Sequence, residues 1–201
     1  GHHQDDLLEN FFIRLLRGSG LKGLVSLEKE NKLDNINLLR PLLDQKKEDL
    51  IFLVKNIFNF YVKDPSNEDT KYQRIRIRRL IEKFEKDGLD KKKLAKTIKN
   101  LKYSNRVINF YVDKNLKKNT SYLKTKNKLL LNENFFQQPQ EVIFRSFSDS
   151  IKLIGKKYYS VRGKKLDKVI KDIESKAILR VTLGGCIIQK VNQTVIISKE
   201  Y

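Results

Sequence analysis

Three side chains of the kinds that transfer protons or bind metal ions recur at three-residue spacing near the start of the chain: His3, Asp6 and Glu9. On a helix this spacing places them along one strip, about a third of the circumference wide. Six large apolar residues beside the strip recur at three- and four-residue spacing, which predicts an amphipathic helix over residues 4–17. These six are Leu7, Leu8, Phe11, Phe12, Leu15 and Leu16.

Each part of this pattern also has a plain structural explanation. Asp5 and Asp6 stand in the first turn, where a helix favours negative charge, and Arg17 can neutralise the other end of the helix. The initial Gly-His-His is also what an expression tag can leave behind. These explanations account for neither the His-Asp-Glu strip nor the exit Arg17-Gly18-Ser19-Gly20, whose glycines can take positive φ. We favour a functional site when the strip and the exit are taken together. The role of each residue taken singly, functional or only structural, stays open.

Several motifs in a fixed order carry a resemblance to a known family. HHxxDxxE, followed by a helix and RGSGxxGL, is similar to the tRNA(Ile)-lysidine synthetase family of PP-loop, or N-type, ATP pyrophosphatases. Leu39-Arg40-Pro41-Leu42-Leu43 resembles the family's RPLL, and residues 64–78 resemble its DxSNxDxxYxRNRIR segment. The run from Thr182 to Cys186 looks like the end of some members. The motif matches span residues 1–79, and residues 80–175 contain no motif that matches.

One expected motif is missing from these residues. Enzymes of this family carry a loop, SGGxDS, upstream of HHxxDxxE, and its backbone N–H groups hold the nucleotide phosphates. No such loop occurs in the 201 residues, which also begin without Met. We therefore expect an N-terminally truncated fragment that is inactive by itself. Two positions depart from the family pattern: Ile75 stands in place of Asn, and Asn10 in place of Thr.

The resemblance implies ATP-dependent addition of free lysine to C2 of the wobble cytidine in a tRNA(Ile) with a CAU anticodon. The family adenylates that base with release of pyrophosphate, and the lysine amine then displaces AMP. The implied cofactors are ATP and Mg²⁺, with Asp6 as the first candidate for a metal ligand and Glu9 as the next. Glu9 is alternatively the group that orients the lysine amine or accepts its proton. His3, neutral near pH 7, is assigned a hydrogen bond to nucleotide or base. The implied phosphate-binding residues are Arg17, Arg40, Arg74 and Arg76.

Arginines crowd the start of the predicted third helix. Arg74, Arg76, Arg78 and Arg79 are interrupted by Ile75 and Ile77, a pattern that does not fit one solvated helical face. Some of these arginines are therefore expected to point inward. A guanidinium group binds phosphate and carboxylate bidentately, so the targets are nucleotide phosphate, tRNA phosphate or the acids of the first helix. An internal salt bridge remains the alternative.

The net charge of +19 is concentrated in the middle of the chain. Residues 1–70 carry −2, residues 71–131 carry +15 and residues 132–201 carry +6. A basic surface of this kind is expected of a protein that holds a phosphate backbone, which favours RNA. The alternative is a solvated lysine face in a lysine-rich sequence. The predicted tRNA-binding residues are Arg78, Arg79, Lys91, Lys92, Lys93 and Lys96.

The predicted fold is mostly α with a little β: the C-terminal half of a Rossmann-like α/β PP-loop domain, then a helical region and a small C-terminal β-hairpin. We place the partial PP-loop domain at residues 1–87 and a basic tRNA-binding region at residues 88–201. A short parallel strand at residues 36–39 would put Arg40 at its carboxyl end, where ligands bind in open α/β sheets, although a merely exposed arginine is equally expected. Gly184-Gly185 is predicted as a bulge or bend within the first hairpin strand. Helices are predicted over residues 4–17, 44–61, 69–86 (capped by Asp69 or Thr70), 90–115, 138–155 and 163–175, and hairpin strands over 177–190 and 194–199.

Composition excludes several classes of protein. The single cysteine, Cys186, rules out an internal disulfide and a site made of cysteines alone. No apolar run reaches the roughly 18 residues of a membrane span, so we expect a cytoplasmic protein without a membrane partner. Oligomeric state stays open, and a homodimer is one option. Two other functions remain open: a non-catalytic RNA-binding remnant, and a related PP-loop tRNA thiolase, against which the solitary cysteine argues.

Overall fold

A computed structural model describes residues 2–33, 36–60, 62, 69–124, 127–157, 161–175 and 179–200. Contacts between residues divide the chain into two units, Gly1–Asn105 and Arg106–Tyr201. The division falls inside one long helix, whereas the sequence places a domain boundary between residues 87 and 88, and that boundary stays a prediction. The architecture is mostly helical with a smaller share of strand, as predicted. No helix in the described part of the chain is long and apolar enough to cross a membrane.

The first unit is built around the helix that carries the polar strip. Its core cluster consists of Leu8 and Phe11 from that helix, Ile77 and Ile81 from the arginine-rich helix, and Ile98. Because the apolar residues of both helices recur at helical spacing, each buries one face and leaves its polar residues at the edge of the contact. Its elements are α1 (Gln4–Leu16), α2 (Leu21–Leu24), β1 (Glu30–Leu33), β2 (Ile36–Leu39), α3 (Lys47–Phe58), α4 (Gln73–Lys86) and the start of α5 (Lys91–Asn119).

The strand at residues 36–39 exists, but the prediction that it is parallel is wrong. β2 pairs with β1 in an antiparallel ladder, with Glu30 opposite Leu39 and Leu33 opposite Ile36. A connection of two residues can join antiparallel strands only, because parallel strands need a long crossover. Arg40 therefore follows a hairpin strand, and the argument from the carboxyl ends of a parallel sheet does not apply to it.

The helices of the first unit exist where the sequence predicts them, with shifted ends. α3 is shorter than the predicted 44–61 at both ends, and α4 begins at Gln73. The predicted cap at Asp69 or Thr70 is wrong, since Tyr72 occupies the N-cap position. The carboxylate of Asp69 instead accepts a hydrogen bond from the backbone N–H of Lys71 (2.9 Å), so it closes a local turn before the helix. Residues 64–68 of the matched motif lie outside the described residues.

The second unit packs helices against an antiparallel sheet of five strands in the order β3-β4-β7-β6-β5. Its core cluster joins Phe135, Phe147, Leu166, Ile188, Ile197 and other apolar residues from the strands and helices. The sequence analysis predicts only the last hairpin, and β3 and β4 add to it. Its elements are the rest of α5, β3 (Thr120–Leu123), β4 (Lys128–Leu131), a 3₁₀ helix (Glu133–Phe136), α6 (Gln140–Gly155), α7 (Gly163–Ser175), β5 (Leu179–Leu183), β6 (Cys186–Val191) and β7 (Thr194–Lys199).

The predicted first hairpin strand is in fact two strands. Gly184 and Gly185 have φ angles of 64° and 76° and form a two-residue turn, with Leu183 opposite Cys186. Two consecutive positive φ angles are what a tight hairpin turn requires, and glycine adopts them without steric penalty. The prediction of a bulge or bend within one strand is therefore wrong, although the site of the irregularity is right.

Candidate active site

The centre of the candidate site is the carboxylate of Glu9, which lies between α1 and α4. Its Oε1 accepts a hydrogen bond from Nε of Arg78 at 2.8 Å, and its Oε2 lies 3.6 Å from Nε of Arg74. Only 1% of the Glu9 side chain is exposed, whereas both arginines reach the surface. The amphipathic pattern of α1 produces this arrangement, because Glu9 follows the buried Leu8 at the edge of the apolar face.

Burial changes the acid–base chemistry of this group. Loss of solvent raises the pKa of the Glu9 carboxyl, and the nearby charge of Asp6 raises it further. The hydrogen bond and positive charge of Arg78, with a smaller effect of Arg74, lower it. The net result is a pKa above the usual value, so Glu9 holds a proton more readily than an exposed glutamate does.

His3 and Asp6 meet at the N-terminus of α1. His3 is the N-cap residue, and its backbone N–H donates to Oδ2 of Asp6 at 2.9 Å. The imidazole Nε2 lies 3.5 Å from the same oxygen. The carboxylate of Asp6 thus satisfies a backbone donor that the helix itself leaves unpaired. The explanation of Asp6 as helix-start chemistry is correct for this contact.

A pocket opens beside Glu9 within the first unit. Its volume is about 190 Å³, enough for a small polar group rather than for a nucleotide. Three acidic and three basic side chains line the pocket, so it suits a ligand that carries both a positive and a negative charge. The lining residues are Asp5, Leu8, Glu9, Lys47, Arg78, Ile81, Glu82 and Lys91.

The other predicted phosphate-binding arginines are held by neutral oxygen acceptors. Arg17 donates to Oε1 of Gln73 at 3.0 Å, and Arg40 donates to Oδ1 of Asn31 at 2.6 Å and to the carbonyl of Glu28 at 3.0 Å. Arg76 donates to the carbonyls of Thr70 and Lys71 at 2.9 and 2.7 Å. None of these acceptors carries a negative charge. These hydrogen bonds therefore leave the positive charge of each of the three arginines uncompensated.

The predicted RNA-binding residues differ in how free they are to bind phosphate. Nζ of Lys91 lies 3.0 Å from a carboxylate oxygen of Glu85. Burial alone would lower the pKa of Lys91, but that contact and nearby carboxylates raise it overall. Arg78 is engaged by Glu9. The exposed members of the set are Arg79, Lys92, Lys93 and Lys96.

Comparison with known proteins covers the residues of this site. A sequence profile described as the PP-loop domain matches residues 1–84, the part that contains α1 and nearly all of α4. Residues 1–84 are therefore similar to that domain. The profile covers the whole Glu9–Arg74–Arg78 cluster, and it ends shortly before the lysine-rich start of α5.

Full-length relatives extend the likeness beyond the PP-loop part. The chain is 30% identical over 205 residues to a tRNA(Ile)-lysidine synthase of Wolbachia pipientis wMel, covering 99% of this chain and 46% of that protein. A protein of the same name from Wolbachia sp. subsp. Brugia malayi (strain TRS) is 30% identical over 209 residues, with the same coverage. One from Francisella tularensis subsp. holarctica (strain OSU18) is 47% identical over 81 residues, 40% of this chain and 20% of that protein. The chain spans about half the length of the curated relatives that it matches along its whole length.

Within the PP-loop part, the structure brings together some of the predicted site residues and separates others. Glu9 contacts Arg74 and Arg78, so the internal salt bridge, kept as an alternative in the sequence analysis, describes these two arginines. Arg76 turns toward the preceding turn instead. Motif matching could not separate the two outcomes, because a motif does not say which face of the helix a residue occupies. On the helix, Arg74 and Arg78 are one turn apart, whereas Arg76 lies on another face.

Sequence reasoning missed three residues of the site. Lys47 of α3 and Glu82 of α4 line the pocket, yet neither falls in a matched motif. Asn10, noted only as a departure from the family pattern, has a buried Nδ2 without a hydrogen-bond partner among the described residues. Nδ1 of His3 and Oε2 of Glu9 are likewise buried without a hydrogen-bond partner among the described residues.

Proposed function

We propose that the protein containing this chain is a tRNA(Ile)-lysidine synthetase, which uses ATP to join lysine to C2 of the wobble cytidine of a tRNA(Ile) with a CAU anticodon. The observation that carries this proposal is the likeness along 99% of the chain to relatives of that name. The acid–arginine cluster supports it, since adenylation and transfer both develop negative charge on phosphate oxygens. Because tRNA is the proposed substrate, the proposed location is the cytoplasm.

The arginines supply the phosphate-binding part of the proposal. Arg17, Arg40 and Arg76 donate to neutral oxygens, so each retains a full positive charge for a phosphate group. Arg74 lies at the longer distance from Glu9 and is half exposed, which leaves its terminal nitrogens the more accessible of the two paired arginines. Guanidinium groups bind phosphate bidentately, so this set suits ATP.

Asp6 is the residue that would hold Mg²⁺. Among the residues that the structure describes, no three acidic, histidine or cysteine side chains form a metal-binding group. Mg²⁺ needs no such group, since it commonly keeps several waters and binds through one or two carboxylates plus the phosphates of its substrate. A single carboxylate at this position fits that mode. When bound there, Mg²⁺ would supply positive charge to the triphosphate.

We assign to Glu9 the role of acting on the lysine amine. Its Oε2 has no hydrogen-bond donor among the described residues, and Glu9 lines a pocket of mixed charge that fits a small ligand with both charges better than a nucleotide. A raised pKa suits a group that orients an amine and then accepts its proton. His3 is proposed to hydrogen-bond nucleotide or base through its imidazole.

The tRNA contact is assigned to the basic stretch that begins in α4. Arg79, Lys92, Lys93 and Lys96 are exposed and suit phosphate directly. Arg78 and Lys91 stay in the proposed set, with weaker contributions, because each already contacts a carboxylate. We keep the proposed domain division, a PP-loop part to residue 87 and an RNA-binding part from residue 88, with Arg78 and Arg79 as tRNA contacts contributed by the first part.

Substitutions at Asp6 in the intact protein test the proposal. Asp6→Asn keeps an oxygen that can accept the His3 N–H bond but removes the charge, so it separates capping from metal binding. We expect Asp6→Asn to lower lysidine formation at least a hundredfold while circular dichroism stays unchanged. Asp49→Asn, a first-turn acid on α3, is the matched control and should keep full activity.

Two outcomes would contradict parts of the proposal. Undiminished lysidine formation by Asp6→Asn would remove Asp6 from the site. Tight tRNA binding by the wild-type protein without any lysidine product would instead support the RNA-binding remnant.

A further inference from the structure

An exposed aromatic and basic face lies on the part of α5 that belongs to the second unit. Val107, Phe110, Tyr111 and Lys114 follow one another at three- and four-residue spacing, so they share one side of the helix. We call these four residues the α5 aromatic face. The exposed fractions of Val107, Phe110 and Tyr111 are 57%, 64% and 47%, which is unusual for a valine, a phenylalanine and a tyrosine in adjacent turns.

The other side of the same helix segment is the one that the unit uses for packing. Val112 and Asn115 are buried, and Nδ2 of Asn115 donates to the carbonyl of Phe135 and to Oγ of Ser146 at 3.2 and 2.9 Å. Oδ1 of Asn109 accepts a bond from Arg145 of α6 at 2.9 Å. These bonds fix the rotation of α5 within the unit, so the aromatic face is directed outward by built contacts.

The aromatic rings are arranged with a cation beside them. The rings of Phe110 and Tyr111 meet edge to face with centroids 5.5 Å apart, and Nζ of Lys114 lies 5.8 Å from the centroid of the Tyr111 ring. Each ring therefore has its orientation held by a neighbour. An aromatic ring held on a helix surface beside a lysine offers a flat stacking surface and a phosphate contact within one turn.

We propose that the α5 aromatic face stacks unpaired bases of bound RNA, with Phe110 and Tyr111 as the stacking rings and Lys114 on the adjoining phosphate. The inference rests on the proposed RNA contact and adds a site to it, since none of these residues belongs to the basic set assigned above. Base stacking on aromatic rings is how proteins hold splayed single-stranded nucleotides, and it tolerates any base.

Charge decides between RNA and a protein as the occupant of this face. From residue 106 to residue 119, α5 carries four basic residues, Arg106, Lys114, Lys117 and Lys118, against the single acid Asp113. A polyanion complements this surface, whereas a second copy of the chain would bring the same positive charge to it.

Leucine substitutions separate stacking from simple apolar contact. Phe110→Leu and Tyr111→Leu keep apolar bulk but remove the ring, whereas Phe110→Tyr and Tyr111→Phe keep the ring. The measurement is the dissociation constant of the intact protein for a single-stranded RNA oligonucleotide and for a duplex of the same sequence, over a range of salt. We expect each leucine variant to bind the single strand about tenfold more weakly, with little change for the duplex, and the ring-preserving variants to bind like the wild type.

The salt dependence provides a second and independent readout. Neither leucine change removes a charge, so the slope of log affinity against log salt should stay the same. Lys114→Ala should reduce that slope by about 0.7, because one phosphate contact fewer releases one counterion fewer.

Each remaining outcome counts against the inference in a distinct way. Unchanged single-strand affinity of the leucine variants, with wild-type RNA binding intact, would overturn the stacking role and leave the proposed RNA contact standing. Wild-type protein that binds neither RNA would overturn both. A self-association that Phe110→Asp but not Phe110→Leu abolishes, seen by sedimentation, would assign the face to protein contact instead. Circular dichroism and thermal melting of every variant establish that the fold is kept, and Phe110→Tyr provides a folded comparison if a leucine variant melts early.

Discussion

The two units of the chain differ in how completely their described residues bury their apolar side chains. The core cluster of the second unit contains sixteen buried residues drawn from strands and helices, whereas that of the first contains five. In the first unit, α3 buries none of its side chains, and Phe52 of that helix is 71% exposed. The second unit is therefore stabilised mainly by its own packing, while the first combines a small core with the buried ion pairs of the candidate site.

This difference matches the division of chemistry between the units. The acid–arginine cluster places a carboxylate where solvent is nearly absent, which opposes folding unless the charge is paired. The second unit contains buried polar groups too: the neutral, hydrogen-bonded Asn115 and Ser146, and Arg145, which pairs with the half-exposed Glu141 at 2.7 Å. A site that binds charged ligands thus accompanies the less densely packed unit. Stability and function can be separated experimentally along this line.

The largest expected effect comes from removing a core ring in the second unit. Phe147 is fully buried and packs against Phe136, with ring centroids 6.0 Å apart. Phe147→Ala should lower the free energy of unfolding of that unit by about 3–5 kcal/mol, because it removes apolar contacts and leaves a cavity. Phe52→Ala, the same change on the exposed face of α3, should alter the stability of the first unit by less than about 0.5 kcal/mol.

Hydrogen exchange of backbone amides, followed unit by unit in the intact protein, measures both changes. A large loss of protection in the first unit on Phe52→Ala would mean that α3 is covered in the intact protein. The difference in apolar burial between the two units would then not hold for the intact protein.

A smaller effect is expected at the ion pair of the first unit. Arg78→Ala removes the hydrogen bond to the nearly buried carboxylate of Glu9 and should destabilise the unit by roughly 3 kcal/mol at neutral pH. The change leaves only Arg74, at 3.6 Å, to balance the charge. Arg79→Ala, next to it on the same helix but exposed, is the matched control and should have little effect on stability.

The pH dependence of the same pair follows from the raised pKa of Glu9. When an acid has a higher pKa in the folded than in the unfolded protein, the folded state binds the proton more tightly. The stability from this group is then complete below the unfolded value, about 4.5, and is lost as pH rises through the folded value. Arg78→Ala should raise the pKa further and extend the loss to higher pH.

Urea unfolding of the wild type and of Glu9→Gln from pH 4 to pH 7 checks that sign. Glutamine cannot ionise, so the stability of the wild type relative to Glu9→Gln should fall with increasing pH. A relative stability that rises with pH would show that Arg78 and Arg74 outweigh burial.

The sequence predicted the helices well because apolar residues at helical spacing are local information. α7 occurs at the predicted residues, and α1, α4 and α6 differ at their ends only. Strand pairing was less accessible, since the residues of one strand do not by themselves determine which strand it pairs with. β2 pairs with β1 rather than in a parallel sheet, and Leu129 and Leu131, for which no strand was predicted, belong to a strand that pairs with β7.

The candidate site was predictable as a meeting of two helices but not in its contacts. The motifs point to Glu9 and to the arginine group, and the structure brings Glu9 to Arg74 and Arg78. Which arginines turn inward depends on the rotation of α4, which Ile77 and Ile81 set by packing into the core. The capping contact between His3 and Asp6 is local, and it agrees with the explanation of the first-turn acids as helix-start chemistry, although the sequence did not predict the contact itself.

The smallest expected effect compares two neighbouring lysines and sharpens the contrast between paired and exposed charges. Lys92 is exposed, whereas Nζ of Lys91 lies 3.0 Å from Glu85, so a phosphate that binds Lys91 must compete with a carboxylate. Lys92→Ala should reduce the slope of log tRNA affinity against log salt by about 0.7 to 0.9, and Lys91→Ala should reduce it by less. Neither change should alter thermal stability measurably, because pairs between exposed charges contribute little.

Equal reductions of the slope would show that the pair with Glu85 opens when RNA binds. No reduction for Lys92 would place the phosphate backbone elsewhere on the basic stretch.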